Sequence, residues 1–280
     1  MKLGNVELHL LGDGEILVDA GGHFGLVPKV LWSQFFAADE LNRVPTALYS
    51  LLIVSAGKRI LVDTGFGRKL TPKEWEIQGL RRPQGDLLDA LNRLGLDPAD
   101  IDIVINTHLH ADHASGNTLL DSGVPRPAFP KAEYWVQRLE WADAMYTNER
   151  TRNTYHPQNL MPVQEAGQLR LLLGDTRVTG EVRCQVTRGH TRAHQSVVVE
   201  SEGDTAIFLG DMASLAVRLE RLGWMSAFDT EPLETLETKR AIRDWALEKH
   251  ALLFFQHDLR RPMGYLTREG DAYRVNPAEE

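Results

Sequence analysis

The chain has 280 residues, 42% of them hydrophobic, enough to bury a sizeable core, and no run of about 18 apolar residues marks a membrane span. A net charge of −8 disfavours a nucleic-acid partner, and the basic runs LRRP at 80–83 and 259–262 are too short to reverse it. The lone cysteine, Cys184, excludes an intrachain disulfide framework and a cysteine zinc knuckle, so any metal must be held by histidine and carboxylate.

In chain order, MKLGNVELHLLGDGE reads as a strand and hairpin turning at Asp13-Gly14. It lacks the apolar block of a signal peptide, which gives a cytoplasmic expectation. Residues 46–65 read as two strands joined at Ala56-Gly57, residues 84–101 as an amphipathic helix ended by Gly95, and DIVIN (102–106) as a short apolar strand. The weakly patterned stretch 142–163 reads as a long loop or lid. Then follow a strand at 181–189, where VRCQV implies a buried Cys184, and a hairpin at 196–211 turning near Gly203-Asp204. A helix at 232–250 and a strand at 251–256 come last, and no repeat or low-complexity linker divides the 1–280 unit.

Four apolar runs each end on a polar group that could bind metal. DIVIN leads to His108, His110, Asp112 and His113; VRCQVTRG leads to His190; TAIFLG leads to Asp211; ALLFFQ leads to His257. If neighbouring strands finish on one rim, these side chains converge, because loops at strand ends are where a rigid scaffold carries chemistry. His108 and His110, two apart, face one way in an extended segment, whereas Asp112 and His113 follow a turn and face a second point. That spacing suits two adjacent divalent metals, with Asp211 as the bridging candidate, His190 completing one shell and His257 the other. Zinc fits the donor set, as do iron, manganese and cobalt.

HLHADH, the later GHT..H, the GD element and the late histidine together resemble the metallo-β-lactamase-fold hydrolases over about residues 45–258. The resemblance implies an α/β fold, an αβ/βα four-layer sandwich of two mixed β-sheets flanked by helices, with the metals at one edge between the sheets. LVDTG (61–65) matches a further family element, whose Asp63 would orient ligands without binding metal. FGLVPKVLW (24–32), GHTRAHQSVVV (189–199), PLETLETKR (232–240) and LLFFQHD (252–258) are similar to the branch that holds quorum-quenching N-acyl-homoserine lactonases and organophosphate hydrolases. The chain departs from that branch at Arg192-Ala193, where Pro-Gly is usual, and at Ser214, where some acyl-homoserine lactonases carry a substrate-contacting tyrosine.

The expected activity is therefore hydrolysis of a lactone, such as an N-acyl-homoserine lactone, by metal-activated water. Asp112 passes a proton to the leaving alkoxide, and phosphotriester hydrolysis is a side activity. A hydroxyacylglutathione-type thioesterase and a non-catalytic metal-binding sensor are the alternatives, and a β-lactamase is disfavoured by Asp211. Phe24, Leu26, Trp224, Met225 and Phe228 are candidates to line an apolar substrate pocket, with core packing as the competing reading; 142–163 and 24–32 would form its rim. His194 is expected as a shielded, hydrogen-bonded support near the site, and His9, His23, His156 and His250 as structural residues. The partners expected are a small lactone or ester substrate and a second copy of the chain, with no nucleic acid and no membrane.

Overall fold

The computed structural model describes residues 1–278, so the last two residues of the 1–280 unit lie outside the described residues. Two seven-stranded sheets stack face to face. The first runs, in spatial order, Lys2–Leu3, Val6–Asp19, Arg43–Ser55, Lys58–Val62, Ile103–Ile105, Glu133–Gln137 and Leu169–Leu172. Its first three pairings are antiparallel and its last three parallel. The second runs Thr176–Arg177, Val182–Val186, Gln195–Ser201, Asp204–Phe208, Leu252–Phe254, Met263–Glu269 and Ala272–Pro277, with one parallel pairing, between the fourth and fifth strands.

Leu51, Val62, Ile105 and Trp135 of the first sheet meet Val197, Phe208 and Phe254 of the second in one buried cluster. Each such aliphatic or aromatic side chain contributes about 1.5–3 kcal/mol by leaving water. The outer face of the first sheet, through Leu61 and Val104, is covered by Leu91 of the helix Leu87–Arg93. The outer face of the second, through Ile207 and Leu253, is covered by Ile242 and Ala246 of the helix Pro232–Lys249. The result is the expected four-layer α/β sandwich. Strands buried on both faces need apolar side chains throughout, which is why IVI (103–105) and LLF (252–254) show no alternation.

Most expected elements are present, with two differences. Asp13-Gly14 is not a hairpin turn: the strand Val6–Asp19 runs through it, and the register against Arg43–Ser55 shifts between Gly12 and Gly14. Asp13 is fully buried and accepts Arg82 Nη2 on both carboxylate oxygens at 2.8–2.9 Å, so a tertiary ion pair turns a local turn signal into a bulge. The stretch 142–163 is not continuous loop either, since the helix Arg138–Met145 enters it and Pro157–Asn159 and Met161–Glu165 are helical.

The two sheets are tied together at one edge. Ala47 and Tyr49 of the first donate to the carbonyls of His257 and Gln256, at 3.2 and 3.1 Å. Gln195 of the second donates its backbone N–H to Thr107 O at 2.9 Å and its side chain to Asn106 O at 2.9 Å. Every histidine-bearing loop expected from the sequence leaves its strand at this edge.

Candidate metal centre

The turn after Ile103–Ile105 passes through His108 and His110 and enters the short helix Ala111–Ala114, which carries Asp112 and His113. His190 follows Val182–Val186, Asp211 follows Asp204–Phe208, and His257 follows Leu252–Phe254. The structure brings all seven side chains together. The ligand atoms of His108, His110 and His190 lie within 4.8 Å of one another, as do those of Asp112, His113 and His257. Asp211 stands between the groups, 3.3 Å from His190 Nε2 on one oxygen and 3.0 and 3.6 Å from His257 Nε2 and His113 Nε2 on the other.

The outward nitrogen of most rings is held. His113 Nδ1 meets Asp63 at 2.9 Å, His190 Nδ1 meets Asp229 at 2.9 Å, His257 Nδ1 meets the Ala47 carbonyl at 2.7 Å, and His108 Nδ1 meets Thr107 Oγ1 at 3.1 Å. A carbonyl or carboxylate can only accept, so Nδ1 of His113, His190 and His257 carries a proton, and Nε2 is the nitrogen turned inward and free to bind metal. His257 Nε2 then stands 3.0 Å from an Asp211 oxygen, and His190 Nε2 stands 3.1 Å from His110 Nδ1. Inward nitrogens and carboxylate oxygens at such range are spaced as the ligands of one shared cation are. Donors about 2.0–2.1 Å from one tetrahedral zinc are themselves about 3.3 Å apart, which matches these separations.

The fit extends to groups with nothing else to bind. His108 Nε2, His113 Nε2 and Asp211 Oδ1 are buried without a hydrogen-bond partner, whereas buried polar atoms are ordinarily paired. Burial, followed by the neighbouring imidazoles, pushes His108 and His110 well below the usual 6.5 and so keeps them neutral. Burial opposes the cation at His113 too, but the Asp112 and Asp211 charges and the Asp63 hydrogen bond outweigh it and raise that ring to about 10. Burial works against charge on Asp211, yet His257, His190 and His113 hold it well below the carboxylate range. Imidazole nitrogens and carboxylate charge gathered at one buried point make a receptor for divalent metal.

Several buried groups position this cluster. Asp63 takes the left-handed backbone conformation, φ 58°, that aspartate tolerates better than most residues. It accepts Thr107 N and Thr107 Oγ1 at 2.7 Å besides His113. His194 is fully buried between Thr187 Oγ1 on Nδ1, at 2.8 Å, and the backbone N–H of Asp211 on Nε2, at 3.0 Å. Burial, then His190, lowers it to about 3, so it acts as a neutral acceptor. Gly210 precedes Asp211 at φ 57°, where a Cβ would come within 2.6 Å of His194 Nε2. The sequence reading missed Asp229 and Glu140, because isolated carboxylates in polar-looking segments carry no local signal of burial. Leu109 N, Tyr155 Oη and Thr191 Oγ1 all donate to Glu140.

A cavity of about 620 Å³ opens onto His110, Asp112, His190 and Asp211. Ile16, Val18, Phe66, Leu70 and Phe228 give it apolar walls, and Asn153, Thr154 and His156 of the 142–163 segment border it. Of the five expected substrate-pocket residues, only Phe228 lines it. Phe24 is buried and stacked on Trp32 at 5.0 Å, and Trp224 packs into the same aromatic cluster. Leu26 is fully exposed, and neither it, nor Met225, nor any other residue of 24–32 reaches the cavity. Aromatic stacking claims the inner face of 24–32, and the wall is supplied instead by Val6–Asp19 and the 66–78 segment, which local pattern did not mark. The departure Ser214 is fully buried and accepts Arg218 Nη1 at 2.7 Å, away from the cavity. Arg192 pairs with Asp143, with Nε donating at 2.9 Å.

The chain matches the model of a family described as the Metallo-beta-lactamase superfamily over residues 44–257. An N-acyl homoserine lactonase from a Bacillus species is 28% identical over 235 residues, covering 80% of this chain and 86% of the relative. A probable metal-dependent hydrolase from Staphylococcus aureus superposes with a TM-score of 0.89 at 28% identity, with both chains fully covered. The dizinc quorum-quenching lactonase AidC superposes with a TM-score of 0.82 at 19% identity, covering 100% of this chain and 97% of that one.

Proposed function

The chain belongs to the metallo-beta-lactamase superfamily and is a metal-dependent hydrolase, and from that premise we propose that it opens lactones, N-acyl-homoserine lactones among them, at a binuclear centre. The observation that carries this reading is the pair of three-donor groups flanking Asp211 at the floor of a cavity with apolar walls. His108, His110 and His190 would hold one ion and Asp112, His113 and His257 the other, with Asp211 shared. Zinc is the proposed metal, supported by the nitrogen-rich donor set and by the dizinc neighbour. Two such ions supply a nucleophilic water near neutral pH and polarise the ester carbonyl.

The chain's own residues do the rest. Asp63, Asp229, Thr107 and the Ala47 carbonyl fix ring orientation, so that the donors converge before any ion binds. His194 holds the backbone of Asp211 in place. Asp112, with its side chain 27% exposed at the cavity, is the carboxylate best placed to pass a proton to the leaving alkoxide. Ile16, Val18, Phe66 and Phe228 offer an acyl chain a dry surface. Phosphotriester hydrolysis belongs to the same reading as a side activity, since the centre would act on either electrophile.

A pH-drop assay of metal-replete protein across lactones, a glutathione thioester and a nitrophenyl phosphotriester tests the proposal. Preference for lactones is expected; preference for the thioester overturns it, and a metal-loaded protein that turns over none of them is a sensor instead. The second copy of the chain belongs to this reading too: the exposed side chains of Leu26, Val30 and Leu31 supply apolar surface for it, and light scattering would report the mass of a dimer.

A further inference from the structure

Glu140 lies in the helix Arg138–Met145, in the sequence RLEWADAM, and is only 1% exposed. Among the described residues no lysine, arginine or histidine forms an ion pair with it. Its Oε1 accepts the backbone N–H of Leu109 at 3.0 Å and the Tyr155 hydroxyl at 2.9 Å, and its Oε2 accepts the Thr191 hydroxyl at 2.6 Å. Leu109 is the residue between His108 and His110, and Thr191 is the residue after His190. Tyr155 packs its ring 4.9 Å from that of His110 and lies between Thr154 and His156, which border the cavity. One buried carboxylate therefore touches both segments that carry His108, His110 and His190, together with the Tyr155 segment that packs on His110. Asp143, one turn further along the same helix, pairs with Arg192, extending the grip to the next residue of the His190 loop.

We infer that Glu140 is a positioning residue: it clasps the His108–His110 turn, the His190 loop and the Tyr155 segment into one rigid unit, and so sets the affinity of one of the two metal positions. A carboxylate is required because all three partners donate, and a buried carboxylate that accepts several hydrogen bonds is held in one orientation. The Asp112, His113 and His257 group has no contact with it among the hydrogen bonds of the described residues, being oriented instead by Asp63 and the Ala47 carbonyl. Loss of the clasp should therefore loosen one ion and leave the other. The inference rests on the binuclear reading above, but its readout, metal retention, needs no substrate, so a failure of the lactone assignment is distinguishable from a failure here.

The test loads the full-length protein with zinc, measures retention against a graded chelator series, and records the visible spectrum after cobalt replacement. Glu140→Ala, folded by circular dichroism, is expected to lose one ion about 10–100-fold more readily than the parent, hold the second normally, and change the cobalt spectrum. Glu140→Gln should recover most of this, because its amide oxygen can still accept from Leu109 and Tyr155 while its amide nitrogen donates to Thr191 Oγ1. Tyr155→Phe and Thr191→Val each delete one hydroxyl without opening a cavity, and carry the test if Glu140→Ala does not fold; each should weaken the same ion to a smaller degree. Folded variants that keep both ions with parental affinity and an unchanged cobalt spectrum overturn the inference, as does equal weakening of both ions.

Discussion

Asp63→Asn is the sharpest perturbation available at the centre, because it changes charge and hydrogen-bond sense while leaving shape nearly intact. The native carboxylate accepts three hydrogen bonds: Thr107 N on one oxygen, and Thr107 Oγ1 and His113 Nδ1 on the other, at 2.7, 2.7 and 2.9 Å. An asparagine has one acceptor oxygen. If that oxygen serves Thr107 N, the amide nitrogen faces His113 Nδ1, and the imidazole must move its proton to Nε2, 3.6 Å from both Asp112 and Asp211. The ring nitrogen meant for metal is then blocked. If the amide is turned the other way, its N–H₂ confronts the Thr107 N–H in a fully buried site, which costs about 1–3 kcal/mol for the unsatisfied donor. Either way the expected result is a 10–100-fold weaker hold on the ion at His113, about 1.4–2.7 kcal/mol, with a smaller effect on the other ion, which Asp63 reaches only through Thr107 and His108. Chelator competition measures the affinity, and nitrogen-15 imidazole shifts of the metal-free protein report which nitrogen of His113 is protonated. Parental zinc affinity together with an unchanged tautomer would refute the assignment of Asp63.

Asp112→Asn should lower lactone opening by about 10²–10⁴ at equal metal occupancy and nitrophenyl phosphotriester hydrolysis by less, since nitrophenolate leaves without a proton; equal losses in initial-rate assays would assign Asp112 to metal holding alone. Phe228→Ala should alter KM and acyl-chain selectivity with little loss of stability, whereas Phe24→Ala should cost about 3–5 kcal/mol in urea denaturation, because Phe24 is stacked within the aromatic cluster behind the site. Lys239 is fully buried with its ammonium donating to Trp224 O at 2.9 Å, and burial, then Arg218, lowers it from 10.5 to about 7. Because the unfolded chain binds the proton more tightly than the native one, stability should rise with pH between about 7 and 10.5, and Lys239→Met should flatten that rise; parallel pH dependences in parent and variant would contradict it.

The convergence of the seven candidate donors was legible because each of the four loops that carry them follows an apolar run, and strand ends on one rim need only the fold class to converge. His194 was legible as a shielded support because it sits four residues after His190, at the start of the strand Gln195–Ser201. What the sequence did not disclose depends on segments distant in the chain. Nothing near Asp13-Gly14 announces that Arg82 will meet Asp13 and straighten a turn into a bulge. Glu140 and Asp229 read as solvated charges until the helix Arg138–Met145 and the loop before Pro232–Lys249 are packed against the histidines. FGLVPKVLW, expected at a pocket rim, follows the core-packing alternative instead: its aromatic side chains find one another first, as Phe24 does with Trp32.

If seven side chains from four strand ends form a receptor for two ions, elemental analysis of zinc-replete, exhaustively dialysed protein alongside Asp211→Ala will show it. About two equivalents per chain are expected for the parent and loss of both in the variant, because Asp211 stands against each group. One equivalent or none in the parent, or two retained without Asp211, would contradict it.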